Sequence, residues 1–341
     1  MHIYEYLFTA IIIVLMLVAS STMIGTVSEP LIGISEKEQL KVAAQKILTQ
    51  ILLNPGDPAD WGSNFDVKAE SLKAFGLAKY GESTCEAYVL DPDKVLRLNL
   101  SVTDPLYIPS SRVLELLNLG YDYGFAMELY PAISVTVDET SNEVYVTSRQ
   151  DGLPIYYAKV HARLYFYNDV SQKIESTSQL DTTTGVDGKC AVNFGVSAEK
   201  KILTLVVDYF GIRIMKVVNL SGSNVKKAYI IGNRLYGVGD VFENPMQIMV
   251  NKRAGSYAIE SIAYTPAKDI EPSTVAVLGV EGSDLVYASR LPISESSKED
   301  RLVYSSIEGF SSLPFAYSVE RSVIICGSAY NIRLYLWRMS F

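Results

Sequence analysis

Lys159-Val160-His161-Ala162-Arg163-Leu164-Tyr165-Phe166 alternates so that Val160, Ala162, Leu164 and Phe166 share one face of an extended chain. Successive side chains of a strand point to opposite sides, so this period of two buries one face and turns the other toward water. The alternation is strong from Tyr130 to about Leu220, and Asp151-Gly152, Asp187-Gly188 and Gly211 supply turns at intervals suited to a small antiparallel sandwich. Residues 226–341 are again strand-like, punctuated at Gly237, Gly239, Pro245, Gly255 and Ser296-Ser297. They end in Ile332-Arg333-Leu334-Tyr335-Leu336-Trp337, which predicts a terminal strand buried on one face.

Upstream of these strands the period changes. After Pro30 and Gly33, Ser35-Glu36-Lys37-Glu38 has the form of a capping box, in which hydroxyl and carboxylate satisfy the first backbone N–H groups of a helix. Leu40, Ala43, Ala44, Ile47, Leu48, Ile51 and Leu52 then recur at three- and four-residue steps, predicting an amphipathic helix with one buried stripe. Asn54-Pro55-Gly56-Asp57-Pro58 stops it. Trp61 and Phe75-Gly76-Leu77 read as a loop and short strand, followed by Tyr88-Val89-Leu90-Asp91-Pro92-Asp93-Lys94. A third helix is expected over Ser110–Leu119, capped by Ser110 or Ser111 and stopped by Gly120.

Between Tyr6 and Ile24 there is no charged residue. The run approaches the ~20 apolar residues that cross a ~30 Å hydrocarbon layer, with Tyr4 and Tyr6 placed where aromatic rings favour the headgroup level. A single-pass membrane helix is the expectation. A cleaved secretory signal ending near Val18-Ala19-Ser20-Ser21 is the alternative, although it lacks a basic start and its apolar run is long for that role. No Lys or Arg occurs before Lys37, so charge bias barely sets the orientation; the large C-terminal part is expected outside the cell.

The chain has 341 residues, enough for two or three folded units of about 100–150 residues each. Hydrophobic content of 48% against 20% charged residues excludes a disordered chain, and 23 Tyr favour β structure. The expected fold class is therefore α+β, mainly β. A transmembrane helix at 1–33 leads into a helix-and-head segment at 34–130, a β-sandwich at 131–222 and a C-terminal β region at 223–341 that either stands alone or completes the head. Net charge is −8 with no basic cluster, which excludes a nucleic-acid surface.

Little in the sequence points to chemistry. Cys85, Cys190 and Cys326 lie too far apart for a metal knuckle or redox motif. A Cys85–Cys326 disulfide and three buried thiols are both open readings. Of two histidines, His2 sits at the membrane edge and His161 on the outer face of a strand. Gly237-Val238-Gly239 lacks the third glycine and the helix of a phosphate cradle, and no nucleophile or zinc motif occurs. Asp181, Asp187 and Asp208 could in principle meet around Ca²⁺, but their spacing is not that of a calcium loop, and Asp187 before Gly188 reads better as a turn residue. Asn99-Leu100-Ser101 and Asn219-Leu220-Ser221 are glycosylation sequons if exported. No catalytic residue, cofactor, metal or small-molecule substrate is expected.

The N-terminal third resembles archaeal type IV pilin-like proteins. The resemblance rests on the terminal hydrophobic helix, its amphipathic continuation ending Leu52-Leu53-Asn54-Pro55-Gly56-Asp57-Pro58-Ala59-Asp60-Trp61, Phe75-Gly76-Leu77, Leu90-Asp91-Pro92-Asp93-Lys94-Val95 and the Tyr121–Tyr123 segment. It implies a hydrophobic helix that packs in a filament core or waits in the membrane, with a β-rich head outside. It also implies that Glu5 compensates a neighbouring subunit's N-terminal amine. Pilin precursors carry a short basic leader, and Met1-His2-Ile3-Tyr4 departs from that pattern. The middle region looks like an immunoglobulin-like or transthyretin-like sandwich of the carboxypeptidase-regulatory type, on Asp151-Gly152-Leu153-Pro154, Ala158-Lys159-Val160 and Thr184-Gly185-Val186-Asp187-Gly188-Lys189. The implied function is a membrane-anchored, non-catalytic surface protein in a pilus-like or envelope assembly, with the bilayer and pilin-like or envelope proteins as partners. The alternative is a solitary adhesive or ligand-binding ectodomain on a single-pass anchor.

Overall fold

The computed structural model describes residues 12–18, 38–81, 87–220 (except 101, 103–105, 121, 139–141, 150 and 172), 227–232, 234–237, 245–251, 259–262, 275–280, 284–292, 301–307, 310 and 316–339. Helix α1 spans residues 38–53 and buries the predicted stripe: Ala44, Ile47, Leu48, Ile51 and Leu52 are at most 8% exposed. Ser35 and the rest of the capping box lie outside the described residues. At the other end Asn54 closes the last turn onto the Gln50 carbonyl, and its side chain accepts a 2.8 Å hydrogen bond from the Gly56 amide. The chain then folds back so closely that a Cβ on Gly76 would lie 2.0 Å from the Asn54 carbonyl oxygen. The Trp61 indole, fully buried, donates to the Gly76 carbonyl at 3.2 Å and locks that return.

Strand β1 (Val89–Leu90) leads into α2 (Pro92–Leu96). Asp91 caps α2 by accepting from the Asp93 amide at 3.0 Å, and Pro92 occupies the first turn, where its missing N–H costs nothing. Helix α3 runs Ser110–Leu116, shorter than the predicted Ser110–Leu119, and its cap position is Pro109 rather than either serine. It stops early because Asn118 adopts φ +53 ahead of Gly120 at φ +61. Strand β2 (Tyr123–Pro131) follows.

The middle of the chain forms two antiparallel sheets. β3 (Ile133–Asp138), β4 (Glu143–Ser148) and β8 (Lys189–Ala191) make one, in the order β3-β4-β8. β5 (Lys159–Asn168), β6 (Lys173–Ser176), β7 (Leu180–Thr183), β9 (Lys201–Tyr209) and β10 (Ile212–Asn219) make the other, ordered β10-β9-β5-β6 with β7 also on β5. Both sheets contribute to one core that includes Val144, Val146, Val160, Ala162, Leu164 and Val207. Asp151-Gly152 and Asp187-Gly188 turn the chain as expected, with Gly152 and Gly188 at positive φ. Phe210-Gly211 closes the β9–β10 hairpin in the left-handed pair that suits strand twist.

A six-stranded sheet comes next, ordered β12-β11-β16-β15-β13-β14. Its strands are β11 (Lys227–Ile231), β12 (Arg234–Gly237), β13 (Pro245–Asn251), β14 (Ile259–Ile262), β15 (Val275–Val280) and β16 (Asp284–Ser289). Tyr287 and Leu285 of this sheet cluster with Tyr165, Ile174 and Ile202. The face of β5 expected to meet solvent is therefore covered at Tyr165, which is 1% exposed, while Phe166 on the expected core face is only half-buried.

The last strands, β17 (Leu302–Ser305), β18 (Tyr317–Ile325) and β19 (Ser328–Arg338), return to the first part of the chain. They form the sheet β1-β18-β19-β2-β17, antiparallel except for the β1–β18 pair. β19 is central, and Ile332, Leu334 and Leu336 are buried as predicted, against the α1 stripe, Phe75 and Phe125. Residues 38–131 and 301–339 thus share one sheet and one core, hereafter the head.

Buried charges tie the head together. Arg97, fully buried, donates to the carbonyls of Val67 and Leu106 at 2.6 Å each, to Asn64 at 3.3 Å, and to Trp61, whose ring lies 5.5 Å from its guanidinium carbon. Burial lowers its pKa to about 10. Lys94, also fully buried, donates to the Pro55 and Ala78 carbonyls at 2.8 Å. Beside it, Asp93 meets Arg290 of the six-stranded region at 3.9 Å, and burial raises the Asp93 pKa to about 6 against the pull of that arginine. Leu96 of α2 and Leu106 pack with Tyr229 and Ile231 of β11 at the same seam.

Among the described residues no helix is long and apolar enough to cross a membrane. Of Tyr6–Ile24 only residues 12–18 are described; they are helical, and Ile12 through Val18 are 41–67% exposed.

Candidate functional site

β2, β19 and β18 lie side by side, and their register sets Glu128, Arg333 and Glu320 in one cross-strand row and Tyr130, Asn331 and Ser322 in the next. The alternate positions, among them Met127, Leu129, Ile332 and Leu334, belong to the head core. Period-two alternation therefore gathers these polar side chains on the sheet's other face. Ser148 and Arg149 at the end of β4 and Arg301 just before β17 border the same place, a cleft of about 670 Å³ between the head sheet and the middle sheets.

The cleft is held by paired charges. Arg333 donates to a single Glu320 oxygen, Oε2, through both Nε and an Nη, at 2.9 and 2.7 Å. Arg301 donates to Glu128 at 2.9 Å, and the Tyr335 hydroxyl donates to the other Glu128 oxygen at 2.8 Å. The guanidinium carbons of Arg149 and Arg333 stand 5.4 and 5.5 Å from the Tyr130 ring centre, within cation–π range. Burial, helped by a hydrogen bond to Glu320, pushes the Tyr130 phenol well above its ordinary range. The Tyr335 hydroxyl and Glu320 hold the Arg333 guanidinium protonated well above its usual value. Among the described residues the lining carries three arginines and two glutamates. Both Glu128 oxygens and Glu320 Oε2 are thus bonded to arginine or tyrosine neighbours.

A scan of protein-family models finds no match for the chain, and a search of curated proteins finds none.

The residues singled out from the sequence fare differently. Glu5, His2 and Cys85 lie outside the described residues, and with Cys85 so does the Cys85–Cys326 pairing. Cys190 is buried in the middle core, which pushes its thiol up to about 11, and Cys326 sits half-buried in the β18–β19 turn. His161 does face outward, but β5–β7 pairing brings Asp181 opposite it, with Nδ1 and Oδ1 2.7 Å apart. Hydrogen bonds from Gln179 and then His161 hold the Asp181 carboxyl below its usual range. Asp187 accepts from the Lys189 amide in its turn, and Asp208 pairs with Arg213 at 3.1 Å. The three aspartates thus serve three separate local roles, and no His, Cys, Asp and Glu cluster able to hold a metal occurs among the described residues.

None of the cleft residues was singled out from the sequence. The available signal was Arg333 and Tyr335 alternating with Ile332, Leu334 and Leu336. That pattern marks the outer face of β19 as polar, but the row is completed by Glu320 of the hairpin partner β18 and by Glu128 of the distant β2.

Proposed function

We propose that the chain is a membrane-anchored, non-catalytic surface protein that contributes to a pilus-like or envelope assembly through its N-terminal helix and its β-rich head. One observation carries this reading: seven consecutive apolar residues, Ile12 to Val18, form helix with their side chains 41–67% exposed. In water each such side chain forgoes roughly 1–2 kcal/mol relative to burial, so a bilayer or a bundle of like helices is the environment that suits them. The α1 stripe supports the same reading, because it fastens the helix following the apolar segment to the head core. The middle sheets serve as an immunoglobulin-like spacer, and Glu5 pairs with a neighbouring subunit's amine.

Substituting Glu5→Gln and imaging the cell surface by negative-stain electron microscopy tests assembly. Loss or thinning of filaments is the expected result; unchanged filaments in the variant would remove the role of Glu5, and none in the wild type would rule assembly out. The second reading, a solitary ligand-binding ectodomain on an anchor, is favoured by the arginine-lined cleft.

A further inference from the structure

We propose that one end of the middle β-sandwich is a self-association surface, at which a second copy of this chain docks tip to tip. Three turns converge there. The Tyr157 amide donates to the Thr184 carbonyl and the Thr184 amide to the Ala158 carbonyl, which joins the β4–β5 connection to the turn after β7. Lys159 at the start of β5 lies opposite both Thr183 and Asp208, which brings the β9–β10 hairpin alongside. These turns carry Leu153, Tyr156, Tyr157, Val186, Phe210 and Ile212, all 40–91% exposed. The surface belongs to the sandwich alone, whether or not the chain is anchored in a membrane.

Local backbone cost accompanies two of these aromatic residues. Tyr157 and Phe210 sit at φ +57 and +49, the left-handed region that glycine and asparagine enter cheaply and bulky side chains rarely adopt. Phe210-Gly211 closes its hairpin where Asn-Gly is the favoured pair, so the fold accepts a poorer turn and gains an exposed ring. Edge-on contacts steady both rings, Tyr156 against Tyr157 at 5.6 Å and Tyr209 against Phe210 at 4.8 Å. A Cβ on Gly152 or Gly211 would meet nothing within 4 Å, so these turns project into open space, a shape that suits docking and not the enclosure of a small ligand. Covering the six side chains would remove roughly 700 Å² from each copy, close to the ~800 Å² per partner of a standard interface. Exposed rim charges of both signs, Asp151 and Asp187 against Lys159, let a two-fold axis set the acids of one copy against the base of the other. The same acids disfavour a bilayer as the occupant. Hydrogen bonds from Ser148 and the Leu153 amide hold the Asp151 carboxyl below its usual range, so a charge would have to enter hydrocarbon with Leu153.

Sedimentation velocity of the full chain in detergent, compared with Phe210→Asn and Tyr157→Asn, tests the proposal. Both substitutions install a residue that favours left-handed backbone, so the turn is kept or improved while the ring is lost. The wild type should pass from monomer to dimer between about 1 and 100 μM, and each variant should dimerise about tenfold or more less tightly, the worth of one large buried side chain. The thermal midpoint of each variant, read at the dilute end of that range, should be no lower than that of the wild type. Association through the apolar N-terminal segment is common to all three chains and cancels in the comparison. A wild type that stays monomeric at the concentrated end, leaving the tip to another protein or to lipid, would overturn the proposal, as would a folded variant that dimerises as tightly as the wild type.

Discussion

Replacing Arg97 by Met tests what holds the head's irregular first part in place. Arg97 reaches the carbonyls of Trp61, Asn64, Val67 and Leu106 and touches no carboxylate among these contacts. A Met side chain fills much of the arginine stem's volume, so the cavity left is small and the loss falls on the acceptors. The Asn64 carbonyl keeps the Val67 amide as a donor, which leaves those of Trp61, Val67 and Leu106 without one; at about 1 kcal/mol or more each, the cost is about 3 kcal/mol in all. The opposing effect is relief from burying a guanidinium, whose cost is visible in its lowered pKa of about 10. Four hydrogen bonds from one charged group outweigh that relief, which is why the net sign is destabilising. Arg97→Lys should cost about half as much, because an ammonium is a point donor and cannot span carbonyls contributed by residues 61 to 106. The chain's two tryptophans, Trp61 and Trp337, both lie in the head, so urea unfolding followed by tryptophan fluorescence reports this unit alone. A loss below about 1 kcal/mol for Arg97→Met, or a gain, would show that desolvation wins and refute the reasoning.

Asp93 should make the head's stability depend on pH. Its folded pKa of about 6 exceeds the ordinary 3.8, so the native state binds more protons between those values, and stability falls as pH rises from about 4 to about 6. The shift corresponds to about 3 kcal/mol, and Asp93→Asn should flatten the profile of urea midpoints between pH 4 and 7; an unchanged slope in the variant would contradict the assignment. Gly76→Ala should lower head stability by about 2 kcal/mol or more, since its Cβ would meet backbone at the Asn54 carbonyl. A thermal midpoint within a degree of the wild type would show that the return after α1 is looser than described.

The sequence carried the periods well and the partnerships poorly. The α1 stripe and the alternation of β19 were readable because helix and strand geometry repeat within a few residues. The join of β19 to β2 was not, since period two says which face is buried but not which strand, some 200 residues away in register Asn331 to Tyr130, lies alongside. Tyr165 was assigned to solvent because alternation describes a sheet with one covered face, and the six-stranded sheet covers the second. Helix α2 was missed although Asp91-Pro92 is a cap followed by a first-turn proline, a signal strong enough to find it. Arg97 and Lys94 were passed over because charged side chains are ordinarily solvated. Only folded backbone shows carbonyls converging on them. His161 and Asp181, 20 positions apart, meet through strand register alone.

Flotation of membranes from cells producing the full chain, after an alkaline carbonate wash, puts the anchoring claim to the test. The chain should rise with the lipid, and deletion of residues 6–24 should release it to the soluble fraction. Recovery of the intact full-length chain as a dispersed monomer in the supernatant would contradict the account.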